Sequence, residues 1–98
     1  MILQTAIEHY GVESQLNKVD EELNELIEAL DNWRKDHHGI YDLIDEIADV
    51  ENMLPQLKMI LQDRYEDLYI GIMINERKEF KLNRLKQRIE DDQNRHGV

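Results

Sequence analysis

The chain has 98 residues and a mass of 11.8 kDa, enough for one hydrophobic core, so a single domain over 1–98 is predicted and a two-domain enzyme is excluded. Twelve Lys and Arg against 22 Asp and Glu give a formal charge of −10, which repels a nucleic-acid backbone. The chain contains no cysteine, so disulfides, cysteine zinc sites and thiol nucleophiles are ruled out, and a reducing cytoplasm fits. No apolar run approaches the roughly 18 residues of a membrane span, and the opening MILQTAIEHYG has no basic leader, so neither a signal peptide nor membrane insertion is expected.

One proline and four glycines among many Leu, Ile, Glu, Asp and Lys make a helix-forming composition, and the predicted fold class is all-α. Ile2, Leu3, Ala6 and Ile7 read as a short opening helix that ends at Gly11, a residue able to take a left-handed C-cap. From Val12 the apolar residues Leu16, Val19, Leu23, Leu26, Ile27, Leu30 and Trp33 recur at steps of three and four, predicting an amphipathic helix. The polar stretch from Arg34 to Gly39 reads as a loop. A second long helix follows, on Ile40, Leu43, Ile44, Ile47, Val50, Met53, Leu54, Leu57 and Leu61, with a kink expected near residues 51 to 55 because of Pro55. Asp63 to Asp92 is predicted as a third long helix with a weak spot at Gly71; the apolar run from Tyr69 to Ile74 has strand propensity but no pairing partner. So thin a core calls for association with a second copy, so the expected architecture is an antiparallel helical bundle completed by oligomerisation, as a homodimer or homotetramer.

Acidic pairs at i, i+3 share a helix face and can grip one hard cation, because carboxylate oxygens are the ligands magnesium prefers. The chain has many such pairs, so position relative to the apolar stripe is the sharper criterion. The stripe centres roughly 80° ahead of Glu22 and roughly 70° ahead of Glu46, with Glu25 and Asp49 each roughly 60° behind its partner. Both pairs occupy the same rotational flank, and antiparallel packing turns those flanks toward each other. Glu22, Glu25, Glu46 and Asp49 are therefore candidate metal ligands, whereas Glu28, Asp31, Asp42 and Asp45 lie further from their stripes and read as solvated.

The stretch Glu21-Glu22-Leu23-Asn24-Glu25, followed after twenty residues by Glu46-Ile47-Ala48-Asp49, resembles the EExxE and ExxD motifs of the MazG-like all-α nucleoside triphosphate pyrophosphohydrolases. Gly11 to Leu16, Leu54-Pro55-Gln56-Leu57 and the basic Lys81-Leu82-Asn83-Arg84-Leu85 also look like the small phage and bacterial members, so the likeness covers most of the chain. The resemblance implies hydrolysis of a (deoxy)nucleoside triphosphate between the α and β phosphates, dependent on Mg²⁺ or Mn²⁺ and yielding monophosphate and pyrophosphate. It implies Glu22, Glu25, Glu46 and Asp49 as ligands, a cytoplasmic role in cleansing the nucleotide pool, and dimers or tetramers. Glu22 and Glu25 are both candidates for the general base, which must share a water with the metal.

An acidic chain repels a triphosphate unless a metal carries it in, and seven of the twelve basic residues lie in the last quarter. Lys81, Arg84 and Arg88 share a helix face; this face, with Lys18 one turn before Glu22, is expected to contact phosphates. Asn52, three residues after Asp49, is a candidate for a sugar or base contact of the kind the family makes there. Trp33 and Tyr41 read as core aromatics and His37 and His38 as exposed. A di-iron carboxylate bundle is excluded because no Glu-x-x-His pair of motifs occurs. The rival reading is a noncatalytic acidic helical-bundle interaction module, in which the carboxylates serve solubility alone.

Overall fold

A computed structural model describes residues 1–96 and contains four α-helices and no strand among them: α1 (Ile2–Tyr10), α2 (Val12–Asp36), α3 (Ile40–Arg64) and α4 (Ile70–His96). It divides into two compact units, the first Met1–Tyr65 and the second beginning at Glu66. None of the helices is long and apolar enough to cross a membrane.

In the first unit, α2 and α3 are two 25-residue helices joined by a three-residue link, so α3 doubles back along α2. The link begins later than the polar composition predicts, because α2 continues through Arg34, Lys35 and Asp36, where two cations oppose the negative end of the helix dipole. His37 and Gly39 both take left-handed conformations, with φ of 61° and 76°. The His37 amide donates to the Trp33 carbonyl at 2.7 Å and the His38 amide to Asp36 Oδ1 at 3.0 Å, so the exposed helix end is closed by local bonds.

Gly11 alone joins α1 to α2, at φ 89° and ψ 158°. That is not the left-handed cap expected from sequence but an extended positive-φ conformation essentially confined to glycine. A Cβ there would meet no atom within 4 Å, so the requirement for glycine is purely one of backbone conformation. α1 packs on both long helices, with Ile7 buried and Gln56 Nε2 donating to the Leu3 carbonyl at 3.3 Å.

The seam between α2 and α3 differs in rotation from the expected one. Its buried or half-buried positions are Gln15, Val19, Glu22, Leu26, Ala29 and Trp33 on α2, facing Leu43, Glu46, Val50, Met53, Leu57 and Ile60 on α3. Steps of three and four alternate along both helices, which is the narrow seam of a two-helix interface. The apolar stripes are wider than that seam. Their outer halves, Leu23 and Ile27 on α2 and Ile40, Ile44 and Ile47 on α3, stay exposed.

Pro55 lies inside α3 and the helix runs through it. The carbonyl of Glu51, which loses its donor to the proline ring, belongs to an exposed residue, where solvent can take the place of the lost donor. The expected third helix from Asp63 is interrupted: α3 ends at Arg64, residues 65–69 form a turn, and α4 starts at Ile70. The Tyr65 amide closes α3 on the Leu61 carbonyl, and Gln62 Nε2 donates to the Tyr65 carbonyl at 3.2 Å. Gly71 sits in the first turn of α4 and does not break it, and the apolar run beginning at Tyr69 enters the helix.

α4 is the second unit's helix. Local pairs decorate it: Gln87 Nε2 donates to Asp91 Oδ1 at 3.1 Å, and the Arg77 and Arg84 guanidinium carbons lie 4.5 and 5.8 Å from the Phe80 ring centre. Ile72, Met73, Phe80, Leu82, Leu85 and Ile89 are exposed along it.

Candidate metal centre

Packing α2 antiparallel on α3 places Glu22 and Glu46 in the seam itself, at positions where a helix pair ordinarily carries leucine. Glu22 is 5% exposed. Glu25, three residues on, stands at the exposed edge of the same seam and Glu46 is half-buried. One carboxylate oxygen from each of Glu22, Glu25 and Glu46 lies within 4.8 Å of the others. Asp49 is exposed and outside this group, although its charge is felt at Glu46. The structure thus gathers three of the four carboxylates singled out in the sequence.

The electrostatics follow from that crowding. Glu46 has its pKa raised above the ordinary value of 4.5 by burial first, then by the negative charges of Glu25, Glu22 and Asp49, and by a hydrogen bond with Glu25. Glu22 has one cationic neighbour: Lys18 Nζ lies 3.1 Å from its Oε1 and 3.6 Å from Glu21 Oε2. The hydrogen bond and charge of Glu22 raise the Lys18 pKa, so the ammonium is held.

These partners leave part of the site unsatisfied. Glu22 Oε2 and Glu46 Oε2 are both buried with no hydrogen-bond partner, a costly state for carboxylate oxygens unless a proton or cation is supplied. A hard divalent cation suits this donor set, since it takes oxygen ligands only, and oxygens sharing one Mg²⁺ lie at most about 4 Å apart at its ~2.1 Å bond length. Small side-chain rotations would bring the three oxygens into that range.

The other candidate residues are placed less centrally. Lys18 is half-exposed on α2, one turn before Glu22. Asn52 is exposed on α3, and Lys81 and Arg84 are exposed on α4, with Arg84 beside Phe80. Glu28, Asp42 and Asp45, read as solvated, are indeed exposed, yet they line a shallow depression of about 230 Å³ with Glu25 and Glu46. Trp33 is half-buried while Tyr41, His37 and His38 are exposed. Sequence reasoning missed Gln15 and Gln56, both buried. For Gln15 the signal was available, since it lies on the same seven-residue grid as Glu22 and Ala29, a poor place for an amide without a purpose; Gln56 lies off the grid of α3.

Comparison with known proteins finds no matching family model and no match among curated proteins or solved structures.

Proposed function

We propose that this chain is a MazG-like nucleoside triphosphate pyrophosphohydrolase that cleaves a (deoxy)nucleoside triphosphate between its α and β phosphates. The observation that carries the reading is the buried, unpartnered Oε2 of Glu22 and of Glu46 beside Glu25. A purely solubilising acidic flank has no reason to bury two carboxylates in a helix seam, where each costs stability.

Glu22, Glu25 and Glu46 would hold Mg²⁺, with Asp49 completing the set from the exposed edge. Bound there, the ion supplies charge neutralisation for the triphosphate and a lowered pKa for a coordinated water. Glu25 is the better placed of the two candidate bases: it is exposed to incoming water and already shares a hydrogen bond with Glu46, so a proton accepted at its carboxylate can be held between the two. Lys18 positions Glu22 through the 3.1 Å contact and is a cation beside the carboxylates that a phosphate oxygen could meet. Lys81 and Arg84 are proposed to contact phosphates, and Asn52 the sugar or base. Leu23, Ile27, Ile40, Ile44 and Ile47 are the surface a second copy would cover, giving a homodimer or homotetramer, and the proposed setting is the cytoplasmic nucleotide pool.

The deciding experiment incubates the protein with each common ribo- and deoxynucleoside triphosphate and Mg²⁺ and measures pyrophosphate. Release that Glu46→Ala abolishes is the expected result. Silence across the whole panel would sink the enzyme reading and leave the noncatalytic acidic helical module, which the exposed apolar half-stripes would also suit.

A further inference from the structure

The carboxylate cluster leaves a second, larger cavity of the first unit unexplained. A cleft of about 920 Å³ opens between α1, α2 and α3, with Leu3, Ala6, Tyr10, Lys18, Met53 and Gln56 among its walls, a size suited to a small ligand. Lys18 belongs to both places, for it lines the cleft while its Nζ contacts Glu22. A molecule whose phosphates are held at the carboxylates and Lys18 therefore has its remaining portion beside this cleft.

Gln56 gives the cleft its chemical character. The residue is 2% exposed, and its Nε2 donates to the Leu3 carbonyl. Because a carbonyl oxygen only accepts, that bond fixes which end of the amide is nitrogen. The other end, Oε1, is buried and has no partner. On the side of the cleft that α1 and α3 contribute, Gln56 stands with Leu3, Ala6, Tyr10 and Met53, across from the polar Ser14, Gln15, Asn17, Lys18 and Glu21 of α2, and the unmet demand of its Oε1 is for a hydrogen-bond donor.

We propose, building on the pyrophosphohydrolase reading, that this cleft receives the nucleobase and that Gln56 selects bases carrying an exocyclic amino group over the dioxo pyrimidines uracil and thymine. An amino group brings two N–H donors and no lone-pair competitor to a wall that offers the Gln56 and Leu3 oxygens. The single N3–H of uracil or thymine is flanked by two carbonyls, which would meet those oxygens head on. A site built to pair a donor rejects the ligand lacking it more strongly than any apolar pocket discriminates by shape. Leu3, Ala6 and Met53 supply the apolar contact with the ring, and Tyr10 stands exposed at the rim, where its own ring can stack on the base.

The test uses uncharged nucleosides and no metal, so that it does not depend on hydrolysis. Adenosine, cytidine, guanosine, uridine and thymidine are titrated into the full chain while the Gln56 side-chain amide and Met53 methyl resonances are followed. The expected result is a shift of both signals, with amino nucleosides bound at least roughly tenfold more tightly than uridine and thymidine. In Gln56→Leu that preference should disappear. Equal binding of all five to the wild-type chain, no binding at all, shifts confined to residues outside the cleft, or a preference unaltered in a folded Gln56→Leu protein would each overturn the proposal. Pyrophosphate release is scored separately, so a failed enzyme reading with intact amino selectivity, or the reverse, is recognised as such.

Discussion

Two layers of the α2–α3 hairpin are built on the same seven-residue grid and filled oppositely. Toward the end where α1 docks, the buried residues are Ile7, Val19 and Ile60, with Gln15 and Gln56 among them. Further along, the grid is occupied by Glu22 and Glu46, with Glu25 at the edge. The first layer follows the rule for a stable core and leaves one amide oxygen unpaired. The second breaks the rule with three carboxylates and leaves two of their oxygens unpaired. Local departures of this size from good packing are expected where a chain carries a function, because burying like charges without a ligand lowers stability.

Substitutions that separate activity from stability test that contrast most directly. In the carboxylate layer, Glu46→Ala is expected to lower Mg²⁺-dependent pyrophosphate release at least about a thousandfold, equivalent to about 4 kcal/mol, while leaving the metal-free melting temperature unchanged or higher. In the apolar layer the reverse holds: Ile60→Ala should cost about 3 kcal/mol in denaturant unfolding and leave turnover per folded molecule intact. If Glu46→Ala instead unfolds the protein, or Ile60→Ala silences it while it remains folded, the two layers do not divide the work in this way. Gly11→Ala comes next, at about 1–3 kcal/mol for forcing a side chain into its φ 89° conformation.

Acid titration sharpens the same contrast. The folded state raises the Glu46 pKa above 4.5, so between that value and the raised one the native chain keeps a proton that the unfolded chain has lost. Metal-free stability from this group is therefore fully present below the lower value and falls as pH rises through the window. Mg²⁺ affinity should run the other way, increasing with pH as the proton leaves Glu46. Glu46→Gln is expected to flatten both profiles, which calorimetric melts and Mg²⁺ titrations at several pH values would measure. The smallest effect belongs outside the seam: Ile27→Lys should change intrinsic stability by no more than about 0.5 kcal/mol yet shift the sedimentation of any oligomer toward the monomer.

Much of this was legible in the residues. Steps of three and four set the long helices, and Gly11 and Gly39 marked two of the three junctions because both need positive φ. The third junction, at 65–69, carries neither glycine nor proline, and Arg64-Tyr65-Glu66-Asp67 reads as continuous helix; what ends it is the Tyr65 backbone conformation, supported by the Gln62 side chain. The convergence of Glu22, Glu25 and Glu46 was readable as a rotational flank, but their depth was not. An apolar stripe shows which side of a helix avoids water without saying how much of that side one neighbour can cover, and here α3 covers the edge bearing Glu22 more fully than it covers Leu23 and Ile27. Asp49 misses the cluster because it stands on the exposed side of α3 and not in the seam. Gln56 was beyond reach, since an orphaned oxygen exists only relative to the atoms around it.

The outer half-stripe lies immediately next to the acids: Leu23 follows Glu22, and Ile47 follows Glu46, in the chain. Whatever body settles on those two side chains also sets how readily bulk solvent reaches the carboxylates. If a second copy is that body, turnover per mole of chain should decline on dilution, and the protein would work as a self-limiting catalyst whose output scales more steeply than its own abundance.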